Sequence, residues 1–400
     1  MPVWHEATRK WVKDGRLVLL GVTEEQHADR CRLFAQWKGF DWPILHDPIN
    51  VLESTAVPIL VALDEQGIVR SVRPDLATFE HDFLDHTFGD ETPDRPPTAP
   101  GRPNLSELKR RADAEGTAVA WRRLGDALAL WGGMGRLDEA VTAYQQTLRH
   151  EPRDANARFR LGVCYRLRSE GPNRRKGDFQ AAMRAWDRAL AADPNRYIWR
   201  RRIQQYGPRL DKPYPFYDWV EQAAAEVAAR GEKPVPLAIQ PSGAELAAPT
   251  HEFTGEPAET RSPDPTGRIV RDREKWIRVE VTVVPSRIQP GQTARIHVCF
   301  HPHAPNTRSK VHWNNESEPL RLWIDPPPGW EISQRLLTAP PGDRPETNEV
   351  RRMDFEVQVP ADAAGTVRLP AYALYYVCED LGGACRFLRQ DLSIKVEIGR

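Results

Sequence analysis

Two cysteines near the C-terminus, Cys378 and Cys385, have the residue type and spacing that redox chemistry requires. They flank a loop containing Gly382 and Gly383, with strand-like segments on either side. In a hairpin, such positions come within the Cα separation of roughly 5.5 Å that a disulfide needs. An exposed disulfide of this kind exchanges with a partner's thiolate through a mixed disulfide, which the second cysteine then resolves.

Three interpretations of this pair stay open. Closing a loop of about eight residues contributes only roughly 2.5 kcal/mol of stability, so the pair is a poor staple and we favour a redox role. The second interpretation is an ordinary structural disulfide. The third is a pair of thiols that stay reduced in the cytosol.

The other three cysteines and a group of histidines are weaker candidates. Cys31 and Cys164 lie in predicted helices, where a buried or half-buried position is expected. Four potential metal ligands alternate along one predicted strand: His297, Cys299, His301 and His303. Imidazole and thiolate suit zinc or copper. We expect a solvent-facing polar strand instead, because Pro302 interrupts it and one strand rarely supplies a tetrahedral ligand set. No cofactor motif is found.

The two C-terminal cysteines belong to a region in which apolar residues alternate with a period of two. The alternating segments are 277–283, 294–300, 320–324, 355–359 and 392–398. Turns rich in proline and glycine separate them, as at 326–329. Short alternating strands with such turns predict an antiparallel β-sandwich of immunoglobulin-like type over residues 273–400.

An internal helical repeat occupies residues 104–231. The first copy carries Trp121-x2-Leu124-Gly125, Leu137-x2-Ala140-x3-Tyr144 and Pro152, and the second carries Leu161-Gly162, Phe179-x2-Ala182-x3-Trp186 and Pro194. This pattern resembles the tetratricopeptide (TPR) repeat, although insertions lengthen both copies beyond the family period. The resemblance implies paired helices that bind a peptide or protein, with the glycine allowing close approach of the two helices.

An arginine-rich helix is predicted after the repeats, with Arg200, Arg201 and Arg202 in sequence. One interpretation is a surface that binds a partner or an anion, since guanidinium groups donate to carboxylates and phosphates. We favour the other, a capping helix whose aromatic residues pack on the repeats while the arginines face solvent, because arginine stems often cover apolar surface.

Residues 1–90 follow the order helix, strand, helix and hairpin. The elements are a helix with Trp4, Ala7 and Trp11 on one face, an apolar segment at 17–22, a capping box of Thr23 and Gln26, and a hairpin at 59–69. The order resembles a thioredoxin-like domain (redoxin or TlpA type) without its first strand and its CxxC turn. That resemblance implies that Pro58 is the cis-proline facing the redox site.

Without that first strand, segments 17–22 and 58–63 would each expose an unpaired edge in the middle of a domain, which is costly and promotes aggregation. We therefore expect the natural gene product to be longer at its N-terminus, or its start site to be misassigned. The alternative is a degenerate domain that a partner strand completes.

The C-terminal region, including its cysteine hairpin, resembles the N-terminal periplasmic domain of DsbD-type thiol:disulfide interchange proteins. The resemblance implies that Cys378 and Cys385 form a reversible pair, with Tyr376 and Phe387 as close neighbours. The cysteine spacing is one residue longer than the family pattern. A periplasmic or other extracytoplasmic location follows from the resemblance alone, and a cytoplasmic one stays open.

Composition limits the remaining function classes. The 400 residues carry 56 basic and 56 acidic side chains, so the net charge of zero provides no electrostatic attraction for nucleic acid or anionic membranes. No apolar run approaches the roughly 18 residues that span a bilayer. Residues 91–103 form a proline-rich hinge and 232–272 a mostly extended linker.

Two functions therefore follow as expectations. The first is a thiol-disulfide exchange protein that meets protein partners through its repeats and through mixed disulfides. The second is a non-enzymatic scaffold with a redox-dead head and a structural disulfide. The chain contains no CxxC motif, so enzymatic activity is an open question at this stage.

Overall fold

The computed structural model describes residues 2–55, 57–88, 101–207, 215–246, 262–303, 310–379 and 385–399. Three regions follow one another along this part of the chain. We call them the head (residues 2–88), the helical region (101–230) and the two-sheet region (273–399). The multidomain architecture expected from the sequence, with helices followed by a C-terminal sheet region, is confirmed at this level.

The described part of the head contains two α-helices, four short strands and a short π-helix (Glu80–Leu84). The α-helices and strands are α1 (Pro2–Lys13), β1 (Gly21–Thr23), α2 (Ala28–Lys38), β2 (Ile44–His46), β3 (Val61–Leu63) and β4 (Val69–Val72). Strands β1 and β2 pair in parallel, and β3 and β4 form an antiparallel hairpin. Within the described residues these are two separate sheets, each with an unpaired edge. The predicted strand at 17–22 is therefore shorter than expected, and Val18 and Leu20 are exposed.

The helical region consists of paired antiparallel helices. Its helices are α3 (Leu105–Glu115), α4 (Ala118–Trp131), α5 (Leu137–His150), α6 (Ala155–Glu170), α7 (Asp178–Ala192), α8 (Tyr197–Tyr206) and α9 (Trp219–Ala229). Side-chain caps begin three of them, because Asn104, Thr117 and Asp154 accept hydrogen bonds from the first free backbone amides.

The two repeated glycines lie where paired helices touch. A Cβ atom on Gly125 would come within 2.9 Å of the Tyr144 ring, and one on Gly162 within 2.4 Å of the Trp186 ring. Only a residue without a side chain allows this approach.

Among the described residues, no helix is both long enough and apolar enough to cross a bilayer.

The two-sheet region is almost wholly antiparallel. Its strands are β5 (Ile277–Val284), β6 (Arg287–Ile288), β7 (Thr293–Pro302), β8 (Val311–Asn314), β9 (Arg321–Ile324), β10 (Glu331–Ile332), β11 (Leu336–Thr338), β12 (Glu346–Thr347), β13 (Arg351–Gln358), β14 (Gly365–Glu379) and β15 (Arg386–Ile398). One sheet has the order β10-β13-β7-β5, and the other has β11-β9-β14-β15-β6, with β8 also paired to β14. Each of the five predicted alternating segments overlaps a strand.

A single hydrophobic core joins the inner faces of the two sheets. Ile296 and Phe300 of β7 contribute from the smaller sheet, and Leu322, Tyr375 and Ile394 contribute from the larger one. All five side chains are buried. Alternation in the sequence thus sends every second side chain into this core.

Segments between the regions pack against their neighbours. Residues 232–246, part of the predicted linker, lie along α2, where the backbone amide of Ala238 donates to Asp29 at 2.6 Å. At the other end of that linker, Arg271 binds Asp391 of β15 at 3.0 Å. Most of the predicted hinge at 91–103 lies outside the described residues.

Candidate functional site

Cys378 and Cys385 form a disulfide at the end of the β14–β15 hairpin where the connecting loop joins the two strands. Their Cα atoms are 4.0 Å apart, and the neighbouring pair Val377 and Arg386 is in register across the two strands. Cys378 lies within β14 and is only 4% exposed, whereas Cys385 is half-buried. The disulfide expected from the sequence is thus present, and Cys385 is the more exposed of its two residues.

The disulfide borders an aromatic patch on the outer face of the larger sheet. Tyr376 and Phe387 stack with ring centroids 4.5 Å apart. They belong to a buried cluster with Trp323 and Tyr372, and Cys385 packs against it. The neighbours that the sequence named are therefore in place, as part of a larger patch.

The three consecutive arginines of α8 correct the expectation that they face solvent. Arg200 and Arg202 are buried, and Arg201 is half-buried. Arg200 forms an ion pair with Glu318, and Arg201 binds Glu316 of the same loop at 3.2 Å. Carboxylates of this chain bind the guanidinium groups of Arg200 and Arg201. The other interpretation, a surface that binds a partner or an anion, stays a prediction.

Arg202 points to the head instead of the two-sheet region. It donates to the backbone carbonyl of Glu24 and lies within 3.4 Å of the side-chain oxygen of Gln26. The aromatic residues of α8 do pack as expected, since Trp199 stacks on Phe159 of α6 at 5.2 Å and Tyr206 is fully buried. Helix α8 is therefore a junction between all three regions.

The head also reaches the cysteine hairpin directly. Arg73, which follows β4, donates to the Glu379 carboxylate at 2.7 Å, and Glu379 is the residue after Cys378. The backbone amide of Arg73 donates to the carbonyl of Leu60 at 2.8 Å, two residues beyond Pro58. The segment bearing Pro58 thus adjoins the same contact as the disulfide.

The Val57–Pro58 peptide bond is cis. Just before it, the carbonyl of Thr55 accepts from the backbone amide of Tyr197 at 3.1 Å, at the start of α8. The role of Pro58 in a redox site stays a prediction. No sequence signal indicated that the two ends of the chain meet here.

Two of the remaining cysteines, Cys31 and Cys164, have environments that disfavour thiolate chemistry. Burial raises the pKa of the Cys31 thiol, which lines a cavity of about 520 Å³ between α2 and the β1–β2 pair. Burial also raises the pKa of Cys164 to about 12. Because the thiolate is the nucleophile, both are poor candidates for exchange at neutral pH.

The histidine-rich strand is β7, and its candidate ligands do not converge. His297 contacts Asp354 at 2.7 Å and His301 lies 3.4 Å from Glu280, both across the sheet's outer face. Cys299 is half-buried between them, and His303 is exposed beyond the strand. The polar outer face matches the expectation from the sequence.

Three other potential ligands do come together: His27, Glu170 and Glu245 are the one such group among the described residues, with ligand atoms within 4.8 Å of one another. Arg30 donates to Glu245 at 2.8 Å, and Arg166 forms an ion pair with Glu170. Two guanidinium cations that directly contact the carboxylates of Glu170 and Glu245 repel a metal cation bound there. We therefore interpret the group as an ionic joint.

Glu24 is the carboxyl group with the most strongly shifted acidity at these junctions. Burial is the main cause that raises its pKa to about 8; the Arg202 guanidinium opposes this shift and the nearby Asp47 carboxylate adds to it. Its Oε2 atom is buried without a hydrogen-bond partner. The head therefore meets α8 through a carboxyl group whose raised pKa favours the protonated form.

Comparisons with known proteins do not identify the chain. It matches no known protein family and no curated protein. Partial similarity exists to Spo0M, a sporulation control protein from Bacillus subtilis (11% identity, TM-score 0.16, 31% of this chain and 49% of that chain). AvmM, which catalyses macrocyclization in alchivemycin A biosynthesis, gives 13% identity, TM-score 0.18 and coverage of 32% and 91%. The alkylpurine DNA glycosylase AlkC of Pseudomonas fluorescens gives 11% identity and a TM-score of 0.18, and the match covers 74% of this chain and 81% of that chain.

This chain thus spans about half the length of Spo0M. The TM-scores are too low to support an inference about fold or function. The function is therefore argued from the site alone.

Proposed function

We propose that this protein is a thiol-disulfide exchange protein whose exchangeable pair is Cys378–Cys385. The observation that carries the proposal is the position of this disulfide. It lies at a hairpin end where all three regions meet, and Cys385 is half-buried.

The proposal includes three finer assignments. They are a thioredoxin-like head, TPR repeats in the paired helices, and a two-sheet region that is an immunoglobulin-like sandwich related to the N-terminal domain of DsbD-type proteins. The glycine contacts between paired helices support the second assignment. An extracytoplasmic location, where disulfides persist, belongs to the same proposal.

The exchange reaction follows from the pair's chemistry. A thiolate of a partner dithiol attacks one sulfur, the Cys378–Cys385 bond breaks, and the other cysteine leaves as a thiolate. The partner's second thiolate then attacks the partner's sulfur in the mixed disulfide. This step releases the remaining cysteine of this protein as a thiolate. Two electrons and two protons pass to this protein, and the partner leaves as a disulfide.

The reduction potential of the pair tests the proposal. We would equilibrate the protein in glutathione buffers, trap free thiols and count them by mass spectrometry. A potential above roughly −300 mV, in the range of exchange catalysts, is expected. A potential well below that value would contradict the proposal and indicate a structural disulfide. The Cys378→Ser/Cys385→Ser variant is the control, since it should lose the titrating thiols and keep the other three.

A second candidate function is a non-enzymatic scaffold. The burial of Cys378 favours it, because a cysteine residue that is only 4% exposed is poorly accessible to a partner. In this case the helical region would bind protein partners and the disulfide would only stabilise the hairpin. The potential measurement separates the two candidates.

A further inference from the structure

The aromatic patch beside the disulfide is covered by another region of the chain. Tyr197, the first residue of α8, packs into the cluster formed by Leu374, Tyr376 and Phe387 on the outer face of the larger sheet. Cys385 packs against the same cluster. On an isolated two-sheet region, this patch would be an exposed apolar surface next to the cysteine pair.

Two arginines hold the cover in place. The Arg200 guanidinium lies 5.6 Å from the ring centroid of Tyr376 and 5.2 Å from that of Phe387, and it forms an ion pair with Glu318. Arg201 donates to the backbone carbonyl of Glu316 at 3.0 Å. Because Arg200 is buried, its stacking and its ion pair are only weakly screened by water.

The head fastens the cover from the other side. The Thr55 carbonyl accepts from the first amide of α8, and Arg73 binds Glu379 beside Cys378. A protein that approaches the disulfide along the aromatic patch therefore meets α8, and the head borders it. A small molecule needs far less space to reach the half-buried Cys385.

We propose that α8 is an autoinhibitory cover: a macromolecular dithiol exchanges with Cys378–Cys385 only after α8 undocks from Tyr376 and Phe387. This inference rests on the proposed function and adds its regulation. The chemical step is the two-electron exchange given above, in which the partner dithiol is the reductant. A partner that binds the helical region and displaces α8 would then activate exchange.

The Arg200→Ala variant of the full chain tests the cover. Rates of reduction are measured with dithiothreitol as a small dithiol and with reduced thioredoxin as a protein dithiol. The variant should be reduced by thioredoxin about tenfold faster than the unmodified protein, which corresponds to about 1.4 kcal/mol in the docking equilibrium. Its reduction by dithiothreitol should change less than about twofold.

Arg335→Ala is the matched control. Arg335 lies over the ring of Trp323, another member of the patch, at 5.1 Å and binds Asp325 at 2.6 Å, so it has the same pair of interactions, but among the described residues none of its ring contacts, ion pairs or hydrogen bonds involves α8. Neither rate should change in this variant. If Arg200→Ala folds poorly, Glu318→Gln takes its place, because it weakens the same ion pair from the other side. It should show the same rise in the thioredoxin rate that is expected of Arg200→Ala.

Two outcomes would overturn the inference. An unchanged thioredoxin rate in both docking variants would show that α8 does not obstruct the disulfide. An equal rise for both reductants would show general loosening instead of a cover. Either result leaves the proposed function intact if the pair has a labile potential, whereas a potential typical of a staple removes the function and the cover together.

Discussion

At the cysteine hairpin, the two cysteine residues are unequally exposed to solvent. Cys378 is enclosed within β14, while Cys385 precedes β15 and is half-buried. The residues that follow them in β15 point to opposite faces of the sheet, so Phe387 joins the outer aromatic patch and Leu388 joins the inner core. The immediate surroundings of the disulfide are thus set by strand alternation.

Glu24 gives a prediction at the same scale. Its pKa in the folded protein is about 8, above the ordinary value of 4.5, so the folded state holds a proton that the unfolded chain releases. The free energy of unfolding should therefore fall as the pH rises from about 4.5 to about 8, by ~1.4 kcal/mol for each pKa unit. The Glu24→Gln variant should lose this dependence and be more stable than the unmodified protein at pH 9.

Urea unfolding at pH 5 and pH 9 measures this effect. Glu221→Gln is the control, because Glu221 is exposed on α9 and its replacement should change stability by less than about 0.5 kcal/mol. If Glu24→Gln proves equally destabilising at both pH values, the carboxyl group is not protonated in the folded state.

At the scale of elements, the paired helices depend on the two glycine contacts. Gly125 and Gly162 occupy equivalent positions in successive helix pairs, each against an aromatic ring of the second helix. The aromatic side chains Tyr144 and Trp186 are fully buried. Helix spacing is therefore set where a ring packs directly on backbone.

Gly162→Ala should separate α6 from α7. The new Cβ would lie 2.4 Å from the Trp186 ring, so the ring or the helix must shift, and we expect a loss of about 1–3 kcal/mol in unfolding free energy. Gly135→Ala is the matched control, since a Cβ there meets no atom within 4 Å. Comparable losses in the two variants would mean that glycine content, and not the helix contact, determines the effect.

Helix α8 differs from its predicted orientation for a reason that also lies at the scale of elements. Its aromatic face follows the expected pattern, but its arginines do not face solvent. A helix presents two faces to its surroundings, and the sequence of α8 does not reveal that both are covered. The carboxylates that bind Arg200 and Arg201 come from Glu318 and Glu316, more than a hundred residues away.

At the scale of the whole molecule, ionic joints connect the regions. Arg30 of α2 and Glu245 of the segment at 232–246 are both fully buried and form two contacts, at 2.8 and 3.3 Å. Arg166 of α6 lies 3.8 Å from the same carboxylate. Head, helical region and connecting segment thus meet in one buried charge cluster.

Glu245→Gln should weaken this joint strongly. Removing one partner of a buried pair leaves Arg30 as an uncompensated charge, with an expected cost of about 3–5 kcal/mol. Asp113→Asn, which breaks the exposed pair with Lys109, should cost less than about 1 kcal/mol. Unfolding in guanidinium chloride, monitored by tryptophan fluorescence, compares the unfolding free energies of the two variants. Similar small losses would show that the joint contributes little to holding the regions together.

Local patterns were enough to predict much of the fold. The five alternating segments, the repeated glycines and the disulfide between Cys378 and Cys385 follow from residues a few positions apart. Pairing within the head was less predictable. The segment at 17–22 has the composition of a longer strand, but only its end is paired, because a strand forms only where a neighbour supplies hydrogen bonds.

The sequence by itself determined which strand residues turn inward, where paired helices approach closely and which two cysteines are bonded, because periodicity, glycine placement and cysteine spacing are local properties. The tertiary structure alone decided what surrounds the disulfide. Arg73 and Glu379 are 306 positions apart, and Arg200 and Glu318 are 118 apart. Such contacts depend on how whole regions dock. That docking is the sum of many weak contacts spread along the chain, and no short motif encodes it.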